Sequence, residues 1–243
     1  MYDIKELTKE IHQNAERQEF VKTLMSGSIE PKLYAIYLYN QLICYSELEK
    51  YGLENSLFRT TTNLPRAEHL HYDFKALWTS DNPPVITQST VDYVKHIRTI
   101  KEDPEKLYAH IYTRHLGDIS GGQMIMKKTP GPNRYYKFKD GEVKEYKRIV
   151  KETINSYLNV YQTNILNECK YAFATATKLF KEMKEIEEIF DVLIKVIEGY
   201  GGGGNTLVPD GMAQSMVDKA ADVEAIMNTD KLGRAVPTNV NAK

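Results

Sequence analysis

Between residue 3 and about residue 198 the apolar positions recur at helical intervals, and strict apolar/polar alternation never persists long enough to build a sheet. The spacing predicts helices over 3–16, 18–26, 30–50, 65–79, 88–101, 104–128, 142–168 and 169–198. Turn formers punctuate them: Gly27-Ser28 ahead of Glu30-Pro31, Asn63-Leu64-Pro65, Asp81-Asn82-Pro83-Pro84 and Thr129-Pro130-Gly131-Pro132-Asn133. No segment repeats at a period of about 20 to 50 residues, which excludes a solenoid. The reading is an all-α, single-domain fold over residues 1–198.

The pattern changes at Gly199. Gly201 to Gly204 form an unbroken run, and residues 205–243 contain no aromatic side chain although 17 tyrosines precede them. Such a segment has little to bury, so 199–243 reads as a Gly-rich linker and a poorly ordered tail. One helix near 212–228 is the most it is expected to hold, with no catalytic role.

A chain of 243 residues is long enough to bury a substantial core. Lys+Arg 32 against Asp+Glu 33 leaves a net charge of −1, so bulk basicity does not argue for nucleic acid. The longest uncharged stretch, Leu33 to Ser46, has 14 residues, short of the roughly 18 that would suggest a membrane span. The opening MYDIKELTKEIHQ lacks a basic segment followed by an apolar run. A soluble, cytoplasmic protein without membrane or nucleic-acid partners is expected. Cys44 and Cys169 are the only cysteines, which excludes a disulfide framework and a thiolate zinc site; both are expected to be buried.

Two constellations carry candidate chemistry. Lys5, Lys9, His12 and Glu16 fall within about 60° of one another on a continuous first helix. As a stripe alone they suit a solvated face, or a site where an imidazole meets a metal and lysines meet an anion. The second is TRHLGDISGGQ, Thr113 to Gln123. Glycines inside a helix cost about 1 kcal/mol each relative to alanine, so something must lie close to that backbone. Gly117 and Gly121 share a face and would admit either a crossing helix or a flat ligand, and they would permit a bend. Arg114 and Asp118, four residues apart, can pair along the flank. Lys144, Lys147 and Lys151 add cations on one face of a later helix. Taken together, these features suit a flat, anionic, iron-bearing ligand, which is haem with its propionates toward the lysines. Neither His110 with His115 nor His69 with His71 shares a face suited to a second metal, so these read as structural or surface histidines.

The motifs resemble the heme oxygenase family. KEIHQNAERQEF (9–20) is similar to its proximal-helix pattern and YTRHLGDISGGQ (112–123) to its distal-helix signature. LPRAEHLHYDFKALW matches its spacing at Arg66, Leu70 and Asp73, and the likeness spans about residues 3–190. The resemblance implies haem as cofactor and substrate, dioxygen as co-substrate, and cleavage to biliverdin, carbon monoxide and ferrous iron. Among its implied site residues are His12 as iron ligand, Glu16 accepting from the imidazole's other nitrogen, and Gly117 and Gly121 approaching haem and oxygen. Asp118 would order distal water, and Tyr45 and Arg114 would join the distal hydrogen-bond network. Lys5, Tyr112, Lys147 and Lys151 would meet propionates, and Phe173 would form a pocket wall.

Several relatives carry Arg at the position of Lys151, and Lys lacks that planar fork, which bears on whether the product is biliverdin IXα. Similarity to soluble photosynthetic-type enzymes implies ferredoxin as electron donor, bilin pigment synthesis as the role, and a bilin reductase as a downstream partner. Two other readings are a haem carrier or sensor of the same fold, and a related helical fold acting on thiamine or quinone precursors. The first leaves Asp118 without a purpose; the second leaves the His12 stripe without one.

Overall fold

The computed structural model of the chain describes residues 3–201. In chain order its helices are α1 (Ile4–Leu7), α2 (Lys9–Glu16), α3 (Glu19–Ser26), α4 (Pro31–Glu54), α5 (Ala67–Leu77), α6 (Gln88–Thr99), α7 (Pro104–Ser120), α8 (Gly122–Ile125) and α9 (Glu142–Gly201). A single 3₁₀ turn, Arg134–Tyr136, lies between α8 and α9. No strand occurs among the described residues. The all-α expectation holds.

The chain divides into two compact units, one comprising the residues up to Thr79 with Ile86–Glu187, the other Ser80–Val85 with the chain from Glu188. The first carries every candidate site residue. In the second, Ser80–Val85 is non-helical, as Pro83 and Pro84 require, and the described residues from Glu188 to Gly201 are helical.

Helix starts follow local chemistry. Pro31 occupies the first turn of α4, where its missing N–H costs nothing, and Glu30 Oε2 accepts from the Leu33 N–H at 2.7 Å. Thr87 caps α6 by accepting from Thr90 N, and Asp3 caps α1 by accepting from Lys5 N. Gly27, at φ 83°, ends α3 in the left-handed region that favours glycine. Residues Leu33 to Leu38 of α4 are all buried, so this helix is surrounded rather than amphipathic, and it packs against α5, α6 and α7. Cys44 and Cys169 are both buried, as expected.

Four boundaries differ from expectation. The first helix is interrupted at Thr8 (φ −110°, ψ 3°), whose hydroxyl donates to the Ile4 carbonyl at 2.8 Å and competes with the regular ladder. The long distal helix breaks at Gly121, where the glycine pair permits it. No break falls at 168/169. Instead α9 kinks at Tyr161 (φ −121°, ψ 39°), within Asn159-Val160-Tyr161-Gln162-Thr163-Asn164, a run of mostly weak helix formers without Pro or Gly. The helix then continues through Gly199 to Gly201, past the expected boundary at 198. The expected tail, 202–243, including the helix anticipated near 212–228, lies outside the described residues. Among the described residues, no helix is long and apolar enough to cross a membrane.

Candidate functional site

Helix α7 is buried continuously from Leu107 to Leu116, and then Gly117 is exposed. A Cβ built at Gly117 would meet no atom within 4 Å, so open space lies against this backbone. At Gly121 a Cβ would be 3.4 Å from the Gly117 carbonyl oxygen. The third glycine has a different reason: a Cβ at Gly122 would fall 2.2 Å from the Tyr136 ring, so Gly122 is required by packing within the protein. Full burial of Leu107, Ile111 and Ile119, worth roughly 1.5–3 kcal/mol each, offsets the helix cost of these glycines.

Beside Gly117, Tyr45 and Asp118 meet as expected, whereas the expected pairing of Arg114 with Asp118 does not form, because Arg114 is turned to Gln41 and Tyr93. Tyr45 from α4 donates its hydroxyl to Asp118 Oδ2. Arg114 donates from Nη1 to Gln41 Oε1 at 3.0 Å and lays its guanidinium 3.9 Å from the Tyr93 ring centroid and 5.8 Å from that of Tyr45. Arg114 and Asp118 are not in direct contact; Arg114 Nε is buried without a partner. Tyr135, which the sequence reading did not single out, also donates to Asp118 Oδ2. Burial pushes the Asp118 carboxyl above its ordinary range, and hydrogen bonds from Tyr135 and Tyr45 only partly offset this. Both phenols are pushed well above 10 by burial and by the Asp118 charge, so they remain donors at neutral pH.

Tyr135 is held there by the Arg66/Asp73 segment. Asp73 accepts from the backbone N–H groups of Arg134 (2.9 Å) and Tyr135 (2.8 Å). Arg66 donates to the Lys137 carbonyl at 2.9 Å and stacks 4.3 Å from the Phe138 ring centroid. Asn133, at φ 51°, accepts from the Tyr34 hydroxyl and donates to the Met126 and Thr129 carbonyls. The signal available in the sequence was Asn133-Arg134-Tyr135-Tyr136, two adjacent tyrosines directly after a Pro-Gly-Pro turn.

On α2 the His12 side chain is 47% exposed, with Nε2 3.4 Å from Glu16 Oε1 and its ring edge-on to Phe173 at 5.4 Å. His12, Glu16 and Phe173 are thus brought together. Nε2 is the nitrogen toward Glu16, which leaves Nδ1 as the other nitrogen for a metal. Lys5 is not on the helix of His12, because Thr8 intervenes. The Ile4 N–H, however, donates to Asn155 Oδ1 at 3.2 Å, and Asn155 lies one turn from Lys151 and two from Lys147. Lys5, Lys147 and Lys151 therefore belong to one region, and none is in an ion pair among the described residues. Lys9 pairs with Glu6 at 3.9 Å. Tyr112 is buried, its phenol pushed up to about 12 by burial.

These residues fit haem. The set offers one accessible imidazole, a glycine-lined open face, cations without carboxylate partners among the described residues, and a half-buried acid beside the glycines.

The family model described as heme oxygenase matches residues 2–182. A heme oxygenase of Porphyra purpurea is 30% identical over 214 residues, covering 79% of this chain and 90% of that protein. Heme oxygenase 1 of Bos taurus is 28% identical, covering 74% and 70%. Among solved structures, heme oxygenase-1 of a cyanobacterium, Synechocystis, in complex with heme gives a TM-score of 0.68 at 28% identity, covering 79% of this chain and 96% of that one. The heme oxygenase of Leptospira interrogans gives 0.65 at 28%, covering 74% and 97%. A helical fold with this site, matched by the family's model over residues 2–182 of 243, shows that the chain belongs to the heme oxygenase family.

Proposed function

We propose that this protein cleaves haem to biliverdin IXα, carbon monoxide and ferrous iron, using dioxygen and electrons from a ferredoxin-type donor, and that it serves bilin synthesis. Bound haem would supply both the oxygen-activating iron and the ring that is cut. The protein's residues bind, orient and manage protons.

His12 would hold the haem iron, and Glu16, 3.4 Å from its ring, would set the ring's orientation. Phe173 limits the ring's swing from the side. Lys5, Lys147 and Lys151 take the propionates, with Tyr112 lining the same end. Gly117 and Gly121 let the α7 backbone approach the far face, where a side chain would hold a flat ligand away.

The observation that carries an oxygenase over a carrier is Asp118. Two phenol donors hold its Oδ2, and no described residue donates to Oδ1. That oxygen can accept from a water, and the raised pKa lets the carboxyl hold a proton beside Gly117. Arg114 fixes the surrounding aromatic rings. A haem carrier needs the proximal base but not this acid.

Hemin added to the purified protein should develop a Soret band. Under air, with NADPH, ferredoxin reductase and ferredoxin, the band should fall as bilin absorbance rises and carbon monoxide is released. A Soret band stable under these conditions supports the carrier, and its absence removes both haem readings. Asp118→Ala should bind hemin normally while biliverdin yield falls at least about tenfold, or ~1.4 kcal/mol; full yield from that variant would refute the role given to Asp118.

A further inference from the structure

Three side chains from three helices converge away from the distal pocket. His96 Nε2 on α6 is 2.6 Å from Glu168 Oε2 on α9, and His110 Nε2 on α7 is 3.0 Å from the same oxygen. All three ligand-type atoms lie within 4.8 Å of one another. Pairing His110 with His115 along one helix could not reveal this, because the partners come from other helices.

We propose that His96, His110 and Glu168 form a second metal site, for a zinc-class divalent cation, independent of the haem reading. Two imidazoles and one carboxylate make a donor set that zinc takes with its fourth position left to water. Tetrahedral bonds of about 2.0 Å place ligand atoms about 3.3 Å apart. The two short contacts therefore widen by less than about 1 Å when an ion enters. The side chains of His110, Glu168 and His96 are 0%, 12% and 23% exposed, which gives an approach from the His96 side and leaves that ring the slack to adjust.

Outer contacts already orient the ligands. His110 Nδ1 is 3.1 Å from the Tyr93 hydroxyl, and the His96 ring stacks on Tyr171 at 3.8 Å and 26°. When the ion binds, the Nε2 proton of each imidazole is replaced by one on Nδ1, and at His110 the Tyr93 oxygen accepts it. The imidazoles stay neutral, the carboxylate stays anionic, and no net proton is released.

Zinc titrated into the full-length, haem-loaded protein against a chromogenic chelator tests this, because His12 is then occupied by iron. One zinc per chain should bind at low micromolar concentration or tighter and raise the melting temperature. His96→Gln, at the most exposed ligand, and Glu168→Gln should each weaken zinc binding by about 10- to 100-fold and leave the Soret band unchanged. X-ray absorption at the zinc edge of the wild type needs no variant and should show two imidazoles with oxygen ligands. Fewer than two imidazoles, or equal zinc binding by wild type and His96→Gln, overturns the proposal.

Discussion

Asp73 accepts the backbone N–H of Tyr135 at 2.8 Å, and the hydroxyl of that tyrosine donates to Asp118. A buried carboxylate on α5 thereby sets the position of a phenol on a loop, and the phenol sets the carboxylate beside the glycines of α7. The phenol's segment is one 3₁₀ turn, too short to fix its own position. Its geometry depends on Asp73, Arg66 and Asn133.

Asp73→Ala should therefore damage the site without touching it. Loss of two charge-assisted bonds to buried backbone should cost about 1.5–3 kcal/mol of stability. Tyr135→Phe should cost less stability but lower biliverdin yield with little change in hemin affinity. Urea unfolding and single-turnover biliverdin yield separate the two; an unimpaired yield from Tyr135→Phe would contradict its part in holding Asp118.

His12→Ala should remove the axial base. The Soret maximum and the ferric high-spin features should change, turnover should cease, and exogenous imidazole should restore part of it. A spectrum identical to wild type would assign the iron to another ligand.

Charge at Lys147 and Lys151 should govern hemin affinity and ring orientation. The Lys147→Glu/Lys151→Glu double variant should weaken hemin binding by about tenfold or more, with less effect at high salt. Lys151→Ala alone should raise the share of non-α biliverdin isomers, read by chromatography, and Lys151→Arg should return the product to IXα.

Acid should loosen the helix junction at His110, which faces Tyr93, His96, Glu168 and Arg114. Its folded pKa of about 4 lies below the ordinary 6.5, so the unfolded chain binds more protons between these values and stability falls as pH drops through that window. Glu168, at about 2 against 4.5, contributes stability that is complete above 4.5 and lost toward 2. Asp73 and Asp118 are raised and act in the opposite sense, so the comparison with His110→Gln isolates the effect. With chelator present, melting temperature should decline more steeply from pH 6.5 to 4 in wild type than in His110→Gln. Parallel profiles would exclude this coupling.

The sequence by itself determined the helical class, most of the helix starts and the two motif helices. Those rest on interactions within a few residues: periodic apolar positions, caps at Glu30 and Thr87, prolines at 31 and 104, and glycines that a helix carries only for a reason. It also made legible His12 with Glu16 and the special character of Gly117, Gly121 and Asp118. Tertiary structure alone decided which side chains from different helices meet. Tyr135 reaches Asp118 from a 3₁₀ turn, the α1 backbone at Ile4 meets Asn155 on the helix of Lys147 and Lys151, and His96, His110 and Glu168 converge from three helices. Periodicity reports the face a residue occupies on its own helix. It carries nothing about the depth and angle at which another helix crosses that face, and those are fixed by packing of the whole core.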